Sequence, residues 1–173
     1  MRREIVTSNA QDIEEIFRLY RLASAHQRSK KTVVVWPEFE RSLVEKEVEE
    51  GRQWKYTIEG QIACVWATTY SDEQIWGAHN KDKAVYIHRI ATNPEFRGQS
   101  FVKKITQWAI GHAKEHGLAY IRLDTIGKND RLIALYKDAG FDFLGMFELK
   151  DTKGLPAHYG EAPACLFQIQ LAP

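Results

Sequence analysis

Residues 87–145, IHRIATNPEFRGQSFVKKITQWAIGHAKEHGLAYIRLDTIGKNDRLIALYKDAGFDFLG, decide the reading of this chain. They run as apolar strand, Asn-Pro turn, short basic loop, long amphipathic helix, strand, helix and strand. The best helix is Phe101 to His116, with Val102, Ile105, Ala109, His112 and Ala113 at helical spacing and Gly117 as its stop. A crossover helix between strands at Ala84–Thr92 and Ala119–Asp124 implies a parallel pair. Alternation along the first of these puts Val85 and Ile87 on one face, and Tyr86, His88, Ile90 and Thr92 on the other. The loop Pro94–Ser100 joins that strand to the helix. A junction of this kind aims backbone N–H groups and the positive end of a helix dipole at one point, which suits a phosphate.

Upstream, residues 3–7 read as a short strand, and Asp12 can cap a helix carrying Ile13, Ile16, Phe17, Tyr20 and Ala23. The run Thr32–Pro37 is apolar, but Pro37 favours a loop or turn there. A helix over Glu38–Glu50 stops at Gly51. Gln53–Ile58 and Gln61–Thr68 form a hairpin about Glu59-Gly60. Residues 71–83 are polar and read as a mobile loop, with Trp76 exposed or folded back over a site. Downstream, Asp130–Ala139 is a helix, Gly140–Leu149 a strand, Asp151–Pro163 a loop and Ala164–Leu171 the last strand. The fold class is α/β: a central, mixed, largely antiparallel sheet with helices on both faces.

The 173 residues are enough for one domain with a real core. Hydrophobic residues at 44% and charged residues at 27% exclude a disordered chain. A net charge of +1 argues against nucleic acid or a membrane surface as partner. No apolar run approaches the roughly 20 residues that span a bilayer. The start, Met1 to Ile5, lacks the apolar core of a secretion signal, so the cytoplasm is expected. Cys64 and Cys165 lie inside apolar strand runs and read as buried reduced thiols. His112 and His116 formally fit a helical metal pair (H-x-x-E-H), but no third ligand cluster accompanies them, and no metal is expected.

A second group follows the loop at a fixed distance: Asn129, then Leu132, Leu135 and Tyr136, then Gly140-Phe141. With Pro94, Phe96, Arg97 and Gly98, this layout resembles the GCN5-related N-acetyltransferase (GNAT) family, which moves acetyl groups from acetyl-CoA to amines. The resemblance implies one GNAT-like domain over residues 1–173. The family's pyrophosphate pattern is Arg or Gln, two residues, Gly, one residue, then Gly or Ala. Here it starts at Arg97 and ends at Val102, with Ser100 and Val102 standing where small residues belong. Backbone N–H groups of Gly98, Gln99, Ser100, Phe101 and Val102 can still hold the phosphates, since every residue there has one. By the same resemblance Asn129 bonds the pantetheine arm, Tyr136 protonates the departing thiolate, and a backbone N–H among Ile90, Ala91 and Thr92 polarises the thioester carbonyl.

The acceptor amine, with a pKa of about 10.4 if it resembles lysine, must lose a proton before it attacks, at a cost on the order of 4–5 kcal/mol. His88, on the strand entering the loop, is the candidate base, with a structural role for it about equally weighted. The acceptor pocket is expected between Trp36, the loop 71–83 and the loop 151–163, with Trp36, Trp76, Glu38, Glu40 and Tyr159 facing a cationic amine. The loop Leu155–Tyr159 itself reads better as plain surface. Expected acceptors are a small-molecule amine or a peptide N-terminus, and a homodimer is compatible with the family. The alternative is an altered GNAT-like module that binds acyl-CoA without turnover.

Overall fold

A computed structural model describes residues 1–31 and 34–173. Thr32 and Val33 lie outside the described residues, and Val34–Pro37 has no regular structure. In chain order the elements are β1 (Arg3–Thr7), α1 (Ile13–Arg28), α2 (Arg41–Glu49), β2 (Gln53–Ile58), β3 (Gln61–Thr69), α3 (Glu73–Trp76), β4 (Ala84–Thr92), α4 (Phe101–Glu115), β5 (Tyr120–Ile126), α5 (Asp130–Asp138), β6 (Asp142–Phe147) and β7 (Ala164–Gln170). The seven strands form one sheet in the order β1-β2-β3-β4-β5-β7-β6. Every neighbouring pair is antiparallel except β4 and β5.

Two apolar layers fix which helix lies on which face. Ile105, Ala109 and Ala113 of α4 and Tyr136 of α5 pack with Cys64, Trp66, Val85, Ile87, Ile121 and Leu123. Ile13, Ile16, Phe17, Leu19 and Tyr20 of α1 and Val44 of α2 pack with Val65 and Ala91 on the opposite face. The helical periodicity of α1 and α4 is therefore spent on burial, the usual source of helix stability in a folded domain. Both cysteines are buried and free, as their apolar settings imply.

Strand β4 carries the feature that alternation could not foresee. Ala67 pairs with His88 and Val65 with Ala91, so Arg89 and Ile90 together oppose Trp66. Arg89 takes the left-handed conformation, φ 51°, which marks a β-bulge. Beyond it the faces exchange. Ile90 packs with Val85 and Ile87 instead of with Tyr86 and His88, and Thr92 reaches Cys64, 3.7 Å from its sulfur. The expected grouping of Ile90 and Thr92 with His88 is thereby corrected.

Residues 71–83 also differ from the mobile loop their polarity implied. They form α3 and a 3-10 turn at Gly77–Lys81, and Trp76 is buried, not folded over a site. The cause is Arg122 on β5. Its guanidinium lies 4.7 Å from the Trp76 ring, donates to the His79 carbonyl at 2.8 Å, and meets Asp82 at 2.8 Å.

Candidate active site

The parallel pairing of β4 and β5 runs from Ala84↔Tyr120 to Ile87↔Leu123 and stops, although β4 continues to Thr92 and β5 to Ile126. The sheet is split from its middle outward. A cavity of about 1050 Å³ opens at the fork, walled by Ile87–Ile90 of β4 and Leu123–Ile126 of β5. Alternation normally sends consecutive side chains to opposite faces, but the bulge lets His88, Arg89 and Ile90 all reach this wall.

At the fork His88 lies between two carboxylates. Asp72 Oδ2, just ahead of α3, is 3.0 Å from Nε2, a close charge contact without hydrogen-bond alignment. Asp124 Oδ1 is 3.9 Å from Nδ1. Burial works to lower the His88 pKa, but Asp72 and then Asp124 outweigh it, and the imidazole is shifted upward from its ordinary value. Burial pushes the Asp124 carboxyl up to about 6, with His88 opposing and Asp72 adding to the rise. Tyr159 lies beside Asp124 and works against that rise. Asp72, Asp124 and one His88 nitrogen fall within 4.8 Å of one another, a spacing that a small cation or a proton could share.

Across the opening Tyr136 comes from α5. Its ring is held against Phe141 and Phe167 at centroid separations of 6.0 and 5.2 Å. Burial, followed by Asp124 and Cys64, drives its pKa well above the ordinary phenol value, so it keeps its proton. Asn129 caps α5, its Oδ1 accepting from the Leu132 N–H at 3.1 Å. His88, Ile90, Asn129 and Tyr136 thus share one cavity. Ile90 also lines a smaller hollow of about 170 Å³ with Ala91, Thr92, Pro94 and Arg97, bounded by Leu22, Ala23 and His26 of α1.

Gly98, Gln99, Ser100, Phe101 and Val102 line neither space. They form the turn into α4, where Gly98 and Ser100 both have positive φ, 82° and 56°. Ser100 is the N-cap, yet its side chain makes no capping bond, so the first N–H groups of α4 have no side-chain partner from that residue. Phe101 is buried against Tyr56, and Val102 packs on the core beneath the helix.

Several acceptor-side expectations change. Trp36 lines the cavity, but Trp76 does not, and Glu38 is an exposed partner of Arg21 at 2.7 Å. Glu40 is likewise exposed. The acids that do reach the cavity are Glu47, Asp72, Asp124 and, at its exposed edge, Asp138. Leu155, Pro156, His158 and Tyr159 line it too, so the loop expected as plain surface closes the pocket, tethered by Gln74 donating to the Lys153 carbonyl at 2.9 Å. Asp124 could have been found by carrying the parallel pairing one step past Ile87 and Leu123. Asp72 and Arg89 had no comparable signal, because one lies in a loop and the other depends on a bulge.

The sequence profile of the acetyltransferase (GNAT) family matches residues 12–141. The chain belongs to this family. Over 107 residues it is 28% identical to YesJ of Bacillus subtilis, an uncharacterized N-acetyltransferase, an alignment that covers 57% of each chain. Solved GNAT structures share the fold over nearly the whole length. An acetyltransferase of the family from Listeria monocytogenes superposes with a TM-score of 0.76 at 24% identity, covering 98% of this chain and 95% of its own. The acetyltransferase yncA of Salmonella typhimurium, solved with acetyl-CoA, gives 0.70 at 14% identity, with 100% and 96% covered. The split between β4 and β5 and the capped α5 are the parts of this GNAT fold that meet at the cavity. Among the described residues no helix is long and apolar enough to cross a membrane.

Proposed function

We propose that this chain transfers the acetyl group of acetyl-CoA to an amine by direct attack on the thioester, with His88 as base and Tyr136 as acid. The observation that carries this reading is the fork itself. It brings an imidazole set between carboxylates and a proton-bearing phenol to the walls of one cavity, at the open end of a split sheet.

The residues present fit the co-substrate. The turn at Gly98–Val102 offers backbone N–H groups at the start of α4, and Arg97 adds a positive charge beside the smaller hollow. The Nδ2 group of Asn129, which the cap does not use, is free to donate to an amide arm. The unpaired stretch of β4 beyond Ile87 has backbone groups that can donate to a carbonyl oxygen as it gains charge. When bound, acetyl-CoA supplies the activated acyl carbon.

The acceptor arrives as an ammonium, drawn by Asp72 and Asp124. His88 takes its proton, directly or through a water, and the nitrogen lone pair forms the C–N bond. The C–S bond then breaks, the electron pair leaves on sulfur, and the second proton on nitrogen passes to solvent. Tyr136 donates its proton there, and the phenol is restored from solvent. Supply of acetyl-CoA and a panel of primary amines should release free CoA thiol in step with acetylated amine. Tyr136→Phe keeps the ring packing and should lower turnover by about 10²- to 10⁴-fold with little change in acetyl-CoA affinity. An inert parent protein that still binds acetyl-CoA would favour the acyl-CoA-binding module instead.

A further inference from the structure

The acceptor end of the cavity has buried polar atoms of two opposite kinds that have no hydrogen-bond partner in the protein. Asp72 Oδ2 and Asp124 Oδ1 are buried acceptors without hydrogen-bond partners, and both flank His88. Arg89 Nη1 and His158 Nδ1 are also buried and without partners. All four residues line the cavity. A buried polar group left unpaired costs roughly 1–3 kcal/mol, so four around one space point to a ligand that completes them.

Arg89 is built to hold still. Its side chain is only 9% exposed, and its guanidinium carbon lies 5.7 and 5.3 Å from the ring centroids of Tyr20 and Phe39. Nη2 is taken by Glu47 Oε2, and Glu47 Oε1 accepts from Gln53 at 3.3 Å. Glu47 is therefore satisfied through both oxygens and offsets the Arg89 charge, while Nη1 is left as a fixed donor. His158, 7% exposed, packs edge-on against the same Phe39 at 5.9 Å. Burial, then Arg89 and His88, holds its pKa down to about 4. It is neutral at pH 7 and can present an N–H through Nδ1. The bulge is what places Arg89 beside His88 on one wall, at the strain of a non-glycine residue with φ 51°.

Resting on the transfer reading above, we propose that the acceptor is a free amino acid, its ammonium received by Asp72, His88 and Asp124 and its carboxylate by Arg89 and His158. A diamine or polyamine would leave Arg89 Nη1 unpaired and bring a second cation toward it. A zwitterion completes both kinds of group with one small molecule. The surrounding Trp36, Phe39, Leu43 and Leu155 favour an apolar side chain.

The test compares trios that share a side chain: leucine, leucinamide and isoamylamine, then phenylalanine, phenylalaninamide and 2-phenylethylamine, each with acetyl-CoA and thiol release as readout. The amino acid should exceed its amide and its decarboxylated amine in kcat/KM by about 30-fold or more, as for loss of one charged hydrogen-bonding partner. The paired change Arg89→Met with Glu47→Gln removes both charges together and should collapse that ratio toward one, mainly through KM of the amino acid. The parent ratio stands even if the double variant folds poorly. Equal or faster acetylation of the amines that lack a carboxylate would overturn the zwitterion while leaving acetyl transfer intact. No thiol release with any amine, in these trios or in the wider panel, would overturn the transfer reading and this proposal with it.

Discussion

His88 illustrates how one side chain acquires a role from its neighbours. Alone it would be mostly neutral at pH 7. Here burial lowers its affinity for a proton, and Asp72 and Asp124 raise it by more, with Arg89 opposing. His158 and Tyr159 complete the charged and titratable groups around it, through Arg89 and Asp124 respectively. A base must be unprotonated to act. The rate at subsaturating acceptor should therefore rise with pH through a midpoint above the ordinary histidine value. His88→Gln should remove that limb and leave only the rise from the amine's own ionisation. A folded variant that keeps the limb would pass the base role to Asp124, whose carboxyl burial pushes up to about 6. The place of His88 in the cavity was legible because a titratable residue interrupts an apolar strand. Its partners were not, since Asp124 depends on strand register and Asp72 on a loop. Arg89 was hidden deepest, because residue alternation assigns it to the wrong face unless the bulge is known.

At the scale of elements, the strong periodic segments were legible and the polar connections were not. Strands β2 and β3, helix α4 and the parallel crossover follow from alternation, helical spacing and the right-handed connection rule. The loop 71–83 could not be read the same way, since its order comes from Arg122, a residue some forty positions later. Arg122 is 1% exposed, faces Trp76 on one side and Tyr120 at 4.4 Å on the other, and also donates to Gln168 and Tyr86. It clamps the segment that delivers Asp72 to His88. Arg122→Leu removes the clamp while roughly keeping bulk, and amide exchange across 72–82 should rise by about tenfold or more. Because Asp72 then drifts from His88, the midpoint of the histidine limb should move down toward its ordinary value. Exchange that rises without any movement of the limb would show that Asp72 is held by something else, such as the Asn80 side chain that accepts from its N–H at 2.6 Å.

Over the whole molecule, the open end of the fork divides the sheet into β1-β2-β3-β4 and β5-β7-β6, joined by four ladder pairs. Each part brings its own helical support: α1 lines the cavity and the smaller hollow on the β4 side, and α5 lines the cavity on the β5 side. A molecule lying in the opening touches both parts, so its binding energy counts toward holding them together. Acetyl-CoA that binds the native state and not the unfolded chain should stabilise it by about 2.7 kcal/mol at a hundredfold excess over Kd, or roughly 5–10 °C in Tm for a domain of this size. The increment should grow with the logarithm of concentration. Arg97→Glu puts a negative charge beside the smaller hollow and should abolish most of the shift without unfolding the protein, because Arg97 sits in an exposed turn. Protection from exchange should appear on both sides of the fork at once, at the start of α4 and at α5. Protection confined to α4 would mean that the ligand engages only the phosphate turn, and that Ser100 and Val102 keep its reactive end from reaching His88.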